Sequence, residues 1–305
     1  MATAQAPSTS DLVAARLRGS GLDWRSYLLQ GAMLISLFVA LALLAVLLAD
    51  IATRAWPVLS ERPVDFLTSE LSSRPARAGI AQGLIGSLLL AVSVAVLALP
   101  VGIGAAVYLE EYARDTRITR LVRTNIRNLA GVPAIVYGLL GLAVFVTLLG
   151  MGKTLLVGGL TLAILVLPIV VITTSEALRA VPLSIREAAL AVGATRWETV
   201  RSHVLPYAAP GILTGTILSL ARAFGETAPL LMVGAVAGTF STSGGLVEQL
   251  TGSYTALPTI VFNWAGQPQD EFRALTAATI VALLAVILLV NGTAILLRNR
   301  YDRKW

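Results

Sequence analysis

The sequence predicts an all-α, polytopic membrane protein with six transmembrane helices. Three observations carry that prediction: a composition too apolar for water, six uninterrupted apolar runs, and basic residues gathered at alternate ends of those runs. Hydrophobic residues make up 56% of the 305 and charged residues 13%, with a mean hydropathy of +0.79, whereas an ordinary globular domain carries about 25% charge. A hydrocarbon core of about 30 Å takes roughly 20 helical residues to cross. The runs are continuously apolar, which excludes barrel strands, whose side chains alternate apolar and polar over about ten residues.

In chain order, residues 1–27 form a basic amino-terminal segment with Arg16, Arg18 and Arg25. The first span, 28–49, exceeds the roughly 7–15 apolar residues of a secretory signal and is expected to be retained. Further spans are expected at 83–107, 129–149, 155–175, 207–236 and 274–297, followed by a basic tail at 298–305. With the amino terminus inside, sixteen of the 23 basic residues fall in segments assigned to the cytoplasm and six outside, with Arg222 inside a span. Excess Lys and Arg marks the cytoplasmic side, so both termini are expected in the cytoplasm. Two external segments, 51–82 and 237–273, are longer than turns. The second holds Tyr254, Phe262 and Trp264, which suit either a surface that receives a partner or aromatic anchors at the helix ends.

Several chemistries are excluded. With no cysteine and one histidine, neither a disulfide framework nor a thiolate or histidine-rich metal site can be built. Gly152, Lys153 and Thr154 imitate the end of a phosphate-binding loop, but the first glycine of that motif would fall at Thr147. No bound cofactor and no catalytic residue are expected, and this chain is not expected to hydrolyse ATP itself. Pro100 and Pro168 read as prolines tolerated inside membrane helices. Glu110 and Glu111 read as solvated charges ending the second span.

The fifth span carries Arg222 and Glu226, four residues apart and so on one helix face. A charge near the bilayer centre costs at least about 2.5 kcal/mol, so such residues face an interior cavity or a partner and mark a transport path. At 1.5 Å per residue from Tyr207, Arg222 lies roughly 22 Å along the span, past the midplane. Its planar fork suits an oxyanion. Glu226 suits holding that fork between substrates, or accepting a proton shared with hydrogen phosphate while repelling sulfate.

Between the fourth and fifth spans, residues 176–206 are too polar to cross. Pro182 and Ser184 suit a helix start, Gly193 a reversal, and Thr195 with Glu198 a capping box opening a second short helix. Glu187, Ala188 and Ala189, then Gly193, then Leu205 and Pro206, resemble the EAA signature of permease subunits of bacterial ABC importers. The resemblance implies a MetI-like permease core and a coupling helix whose alanines keep one face flat enough to enter a groove on an ATPase subunit. His203 stands where the family pattern has isoleucine, and is expected to be structural or interfacial.

The strings RAFGETAPLL at 221–230, AGVPAIVYGL at 130–139, YLEEYA at 108–113 and LLVNGTAILLRNR at 288–300 are similar to those of phosphate-transport permeases of the PstA type, from about residue 80 to the end. PstC, the paired permease, is the alternative within that family. The resemblance implies a second permease (PstC-like), an ATPase dimer (PstB-like) and an external phosphate-binding protein (PstS-like), with no nucleic acid. Two other readings stay open: a permease for another oxyanion such as sulfate or molybdate, and a membrane-embedded enzyme using Arg222 and Glu226 as acid and base.

Overall fold

The computed structural model describes residues 24–235 and 245–301. Expectations placed on Arg16, Arg18, Val236, Arg303 and Lys304 lie outside the described residues. The chain divides into two compact units, residues 1–50 and 51–305. In the first, residues 24–50 are helical, and Leu37, Val46 and Leu47 among others are exposed along them, as on a helix whose solvent is lipid.

Helix α1 (Trp24–Glu61) is followed by a short α2 (Pro63–Thr68) and a 3-10 turn (Pro75–Arg77). Helix α3 (Ala81–Val107) runs on through a π-helical turn, Tyr108–Tyr112. Then come α4 (Arg117–Ala130) and α5 (Ala134–Gly141), the latter extended by a π-helical stretch to Leu148. Helix α6 (Leu155–Arg179) leads into a hairpin of α7 (Leu183–Ala191) and α8 (Arg196–Thr199). A π-helical turn (Val200–Val204) joins α8 to α9 (Leu205–Gly225). After α10 (Ala228–Met232), α11 (Leu246–Thr251) and α12 (Leu257–Ala265), the chain closes on α13 (Glu271–Tyr301).

Five of these helices are long and apolar enough to cross a membrane, and a sixth crossing follows if the bent α4–α5 pair is one span. The third and fifth expected spans differ from the helices observed. The chain turns by 100° between α4 and α5, because Gly131 and Pro133 interrupt the ladder. The apolar part that remains, Ala134 to Leu148, is about 22 Å long, less than the hydrocarbon core. The fifth span ends at Gly225 and restarts at Ala228, with Pro229 in the first turn of α10. At the far end, α13 continues through Arg298, which was expected in the tail; its guanidinium donates to Thr214 Oγ1 at 3.3 Å.

In the second unit α6 is the central element, packed against α3 and α9. Pro168 sits buried within it and does not end it. Between apolar helices in lipid, attraction comes from close packing, so small residues mark the contacts. Gly102 meets Val170, Gly159 meets Ser93, and Gly215 meets Thr173. Hydroxyls in these helices are satisfied within their own turn, as Thr161 to Val157 O and Ser219 to Gly215 O, both at 2.8 Å.

The two external segments form a core of their own. Phe66, Ala78 and Ile80 pack with Leu257, Ile260, Trp264, Phe272 and Leu275, and the rings of Trp264 and Phe272 lie 5.7 Å apart. Tyr254 and Trp264 are buried, whereas Phe262 is exposed, so two of the three expected surface aromatics are core residues. Ser87 Oγ accepts the Leu257 N–H at 2.9 Å, and Gly86 lies against the Thr255 carbonyl with no room for a Cβ. Gly86→Ala is expected to destabilise the protein by about 1–3 kcal/mol through overpacking, lowering the thermal midpoint of the purified chain. Gly104→Ala, which meets open space, should leave that midpoint unchanged or raise it; equal effects of the two would refute this packing.

Candidate functional site

Helix α7 begins after Pro182 and ends where Gly193 adopts φ +89, a left-handed conformation that costs glycine little and other residues about 1 kcal/mol or more. The second helix opens with the expected box: Thr195 N donates to Glu198 Oε2 at 2.8 Å, and Glu198 N donates to Thr195 Oγ1 at 3.3 Å. Local sequence therefore fixes the reversal before any tertiary contact is made.

Adjacent residues on a helix diverge by about 100°, and α7 uses this to divide the expected motif. Glu187 and Ala188 are exposed, whereas Ala189 is buried. The two alanines do not share the outward face, and only Ala188 can lie flat against a partner. Leu183, Leu190, Val192 and Trp197 are also exposed, Val192 at 85%. These are large apolar side chains exposed along the hairpin, three of them (Leu190, Val192, Trp197) near its Gly193 reversal, and exposed apolar surface of this kind marks interaction sites. His203 is exposed, while Val200 and Val204 turn inward. The π-helical turn places those two valines, not residue 203, against the bundle.

Glu110 and Glu111 are not solvated charges ending the second span but hold the hairpin and the helix before it. Glu111, 7% exposed, receives Arg186 Nη2 at 2.7 Å and Nε at 3.3 Å. Arg186 also donates to the carbonyls of Val181 and Leu178, both at 2.8 Å. Neighbouring Glu110 receives Arg179 in a fork, Nε at 2.9 Å and Nη2 at 2.8 Å, and Arg123 Nη2 at 3.6 Å. Arg123 donates as well to the Leu109 carbonyl. The Arg196 guanidinium stacks over Tyr112 with its carbon 5.6 Å from the ring centre. The π-helical end of α3 thus ties together α4, α6, α7 and α8. Forked charge-assisted bonds fix orientation as well as distance.

The second candidate locus is the break after α9. Arg222 occupies the last turn of α9, and Glu226 is its C-cap, with extended backbone at φ −80 and ψ 115. The two were expected on one continuous helix face. They meet across the helix end instead, Arg222 Nε donating to Glu226 Oε1 at 3.2 Å. The side chains are 44% and 20% exposed. That bond uses one of the five donors of a guanidinium. Ala223 and Phe224 between them pack into the core, so the backbone is anchored while the ion pair faces outward. Helix α10 packs against α5, where Gly138 touches Pro229 and Met232, so the two broken elements lean on each other. Discontinuous helices at membrane depth expose backbone and charge where a cavity or a partner satisfies them.

The remaining sequence signals resolve structurally. Thr154 caps α6 by accepting the Val157 N–H at 3.3 Å, and the Lys153 side chain lies against Gly234, so Gly152 to Thr154 is a helix start. Among the described residues no group of three or more His, Cys, Asp or Glu side chains is placed to hold a metal ion.

Comparison with known proteins gives one family and one fold. A family model described as binding-protein-dependent transport system inner membrane component matches residues 98–303. The chain is 39% identical over 173 residues to the probable ABC transporter permease protein YqgI of Bacillus subtilis, covering 57% of this chain and 59% of that one. It is 36% identical over 221 residues to the phosphate transport system permease protein PstA 1 of Mycobacterium tuberculosis, covering 72% and 70%. A PstA of Xylella fastidiosa is 34% identical, with 78% and 81% covered. Among solved structures, a bacterial alginate ABC transporter chain matches with a TM-score of 0.65 at 13% identity, over 88% of this chain and 93% of that one. A chain of the MetNI methionine ABC transporter matches with a TM-score of 0.58 at 19% identity, over 73% and 96%. At such identities the structures speak for the MetI-like fold alone.

The strut from Glu111 to Arg186 makes a prediction independent of activity. The chain has no native cysteine, so a single cysteine at buried Ala189 reports opening of α7. Glu111→Gln should speed its modification by a thiol reagent at least tenfold, the equivalent of about 1.4 kcal/mol lost from a charge-assisted bond. An unchanged rate would show that the hairpin is held without the carboxylate.

Proposed function

The chain belongs to the family of binding-protein-dependent transport system inner membrane components, and from that premise we propose that it is a permease subunit of an ATP-driven phosphate importer. Phosphate as cargo is supported by the relatives at 34–36% identity over more than two thirds of both chains, which are phosphate permeases. The observation that carries the mechanism is the hairpin: a capped, glycine-reversed element with an apolar tip, pinned by Arg186 to the end of one long helix and continuous with two others. Such an element converts a push on its tip into movement of spans.

In this reading the tip around Glu187 and Ala188 enters a groove on a PstB-like ATPase dimer, where ATP and magnesium are bound and hydrolysed. The chain itself is not an enzyme and carries no cofactor. A PstC-like permease completes the transmembrane path, and a PstS-like external protein delivers phosphate. Both termini lie in the cytoplasm. Arg222 and Glu226 form a gate: between substrates the carboxylate occupies the guanidinium, and arriving hydrogen phosphate competes for it with two oxygens while its own proton satisfies Glu226. Sulfate, lacking that proton at neutral pH, is repelled. A sulfate or molybdate permease is the second reading, and it gives no role to the carboxylate beside the arginine.

ATP-driven uptake in vesicles holding the complete complex tests this. Phosphate should be taken up and should compete, with sulfate failing to do so. Arg222→Ala and Glu226→Ala should each abolish import with the complex still assembled, whereas Gly193→Asp should separate ATP hydrolysis from transport or release the ATPase. Retained uptake in the Arg222→Ala, Glu226→Ala double variant would sink the gate, and uptake of another oxyanion would move the cargo while leaving the coupling intact.

A further inference from the structure

Helix α4 is unlike the other long helices. None of its residues is buried, and its sequence, RITRLVRTNIRNLA, holds four arginines and no acidic residue. At about 100° per residue, Ile118, Leu121, Val122 and Leu129 fall within an arc of about 100°, and Arg120, Arg123 and Arg127 within about 60° on the opposite side. The flank between the two arcs meets the bundle: Ile126 packs beside Leu109 and Val171, and Arg123 reaches Glu110. Among the described residues the apolar arc is exposed. Ile118 is 74% exposed and Leu121 62%.

The turn of 100° into α5 bears on what lies over that arc. If α5 enters the bilayer, α4 runs along its surface at the hairpin end, with the bundle on one flank. A basic helix with an opposed apolar face, lying flat beside a membrane entry point, matches an interfacial helix, whose apolar side sinks about 5–10 Å into the boundary between headgroups and acyl chains. A water-filled exit for the cargo would favour the arginines but not Ile118, Leu121 and Val122.

We propose that α4 lies in the headgroup layer of the cytoplasmic leaflet and binds the phosphates of anionic lipids through Arg117, Arg120 and Arg127. All three are exposed, and among the described residues Arg120 pairs only with the similarly exposed Asp115 at 3.4 Å, a pair too solvated to compete with a lipid phosphate. Arg123 stays with Glu110 and links lipid occupancy to the strut under the hairpin. The proposal goes beyond the transport role and does not depend on which oxyanion is carried.

The test uses the complete complex in lipid nanodiscs of phosphatidylcholine with or without phosphatidylglycerol. A nitroxide on Leu121→Cys should be relaxed by oxygen more than by a water-soluble nickel chelate, and phosphatidylglycerol should co-purify with the complex. Arg117→Gln, Arg120→Gln and Arg127→Gln together should cut that retention, by about fivefold for each arginine removed, while the three Arg→Lys changes keep most of it. Three results would each overturn the proposal: a label that the nickel chelate reaches freely, a label that neither reagent reaches because protein covers it, or phosphatidylglycerol retention unchanged in the glutamine variant. Lost phosphate uptake with unchanged lipid retention would assign the arginines to the cargo path instead.

Discussion

Two adjacent carboxylates at the end of one long helix carry the organisation of this molecule. Glu110 and Glu111 diverge by about a quarter turn, so each serves a different neighbour: one takes the arginines of α4 and α6, the other the arginine of α7. Glu111 is nearly buried, and its partner also caps two backbone carbonyls. Removing a carboxylate from such a cluster strands a desolvated guanidinium, which is far costlier than losing an exposed pair. The hairpin is consequently neither a floppy loop nor a separate domain. It is a rigid appendage of the spans.

The rest of the bundle follows from lipid as solvent. Apolar helices gain nothing by merely avoiding lipid tails, so they associate where glycine, alanine and serine allow backbones to approach, as between α3 and α6. Backbone that leaves the helix must find another partner or a polar cavity. Both interruptions satisfy backbone locally, Gly131 N–H donating to Asn128 O and Glu226 N–H to Ala223 O, and they sit side by side: α10, which follows the break at Gly225, packs on α5, which follows the break at Gly131 to Pro133. The Arg222–Glu226 pair sits at one of these interruptions. A gate placed there can move without unwinding an intact span.

Much of this was legible in the sequence because it is local or periodic. The long apolar helices other than the broken third and fifth spans, the Thr195–Glu198 box, the reversal at Gly193 and the meeting of Arg222 with Glu226 all depend on residues within a few positions of one another. The helix breaks were also written locally, in Gly131-Val-Pro133 and in Gly225 followed by Pro229, but the apolar character of both stretches masked them: hydropathy measures affinity for lipid and is blind to a missing ladder bond. The carboxylate cluster was not legible. Glu110 and Arg179 are 69 residues apart, Glu111 and Arg186 75, and no spacing rule connects them. The aromatics of the second segment failed for the same reason, since Trp264 shares its core with Phe66, far away in the chain.

The central claim is that the hairpin and the end of α3 move as one body. Paired spin labels on exposed Val192, in the hairpin, and exposed Tyr108, at the end of α3, measure it directly in the assembled complex. The account predicts that their separation stays within about 2 Å between the nucleotide-free and ATP-bound states, the scale of small shifts inside a packed unit, even as either label moves relative to the ATPase. A change of about 5 Å or more, the size of a one-turn slip between elements, would contradict it and leave the carboxylates as anchors of the bundle alone.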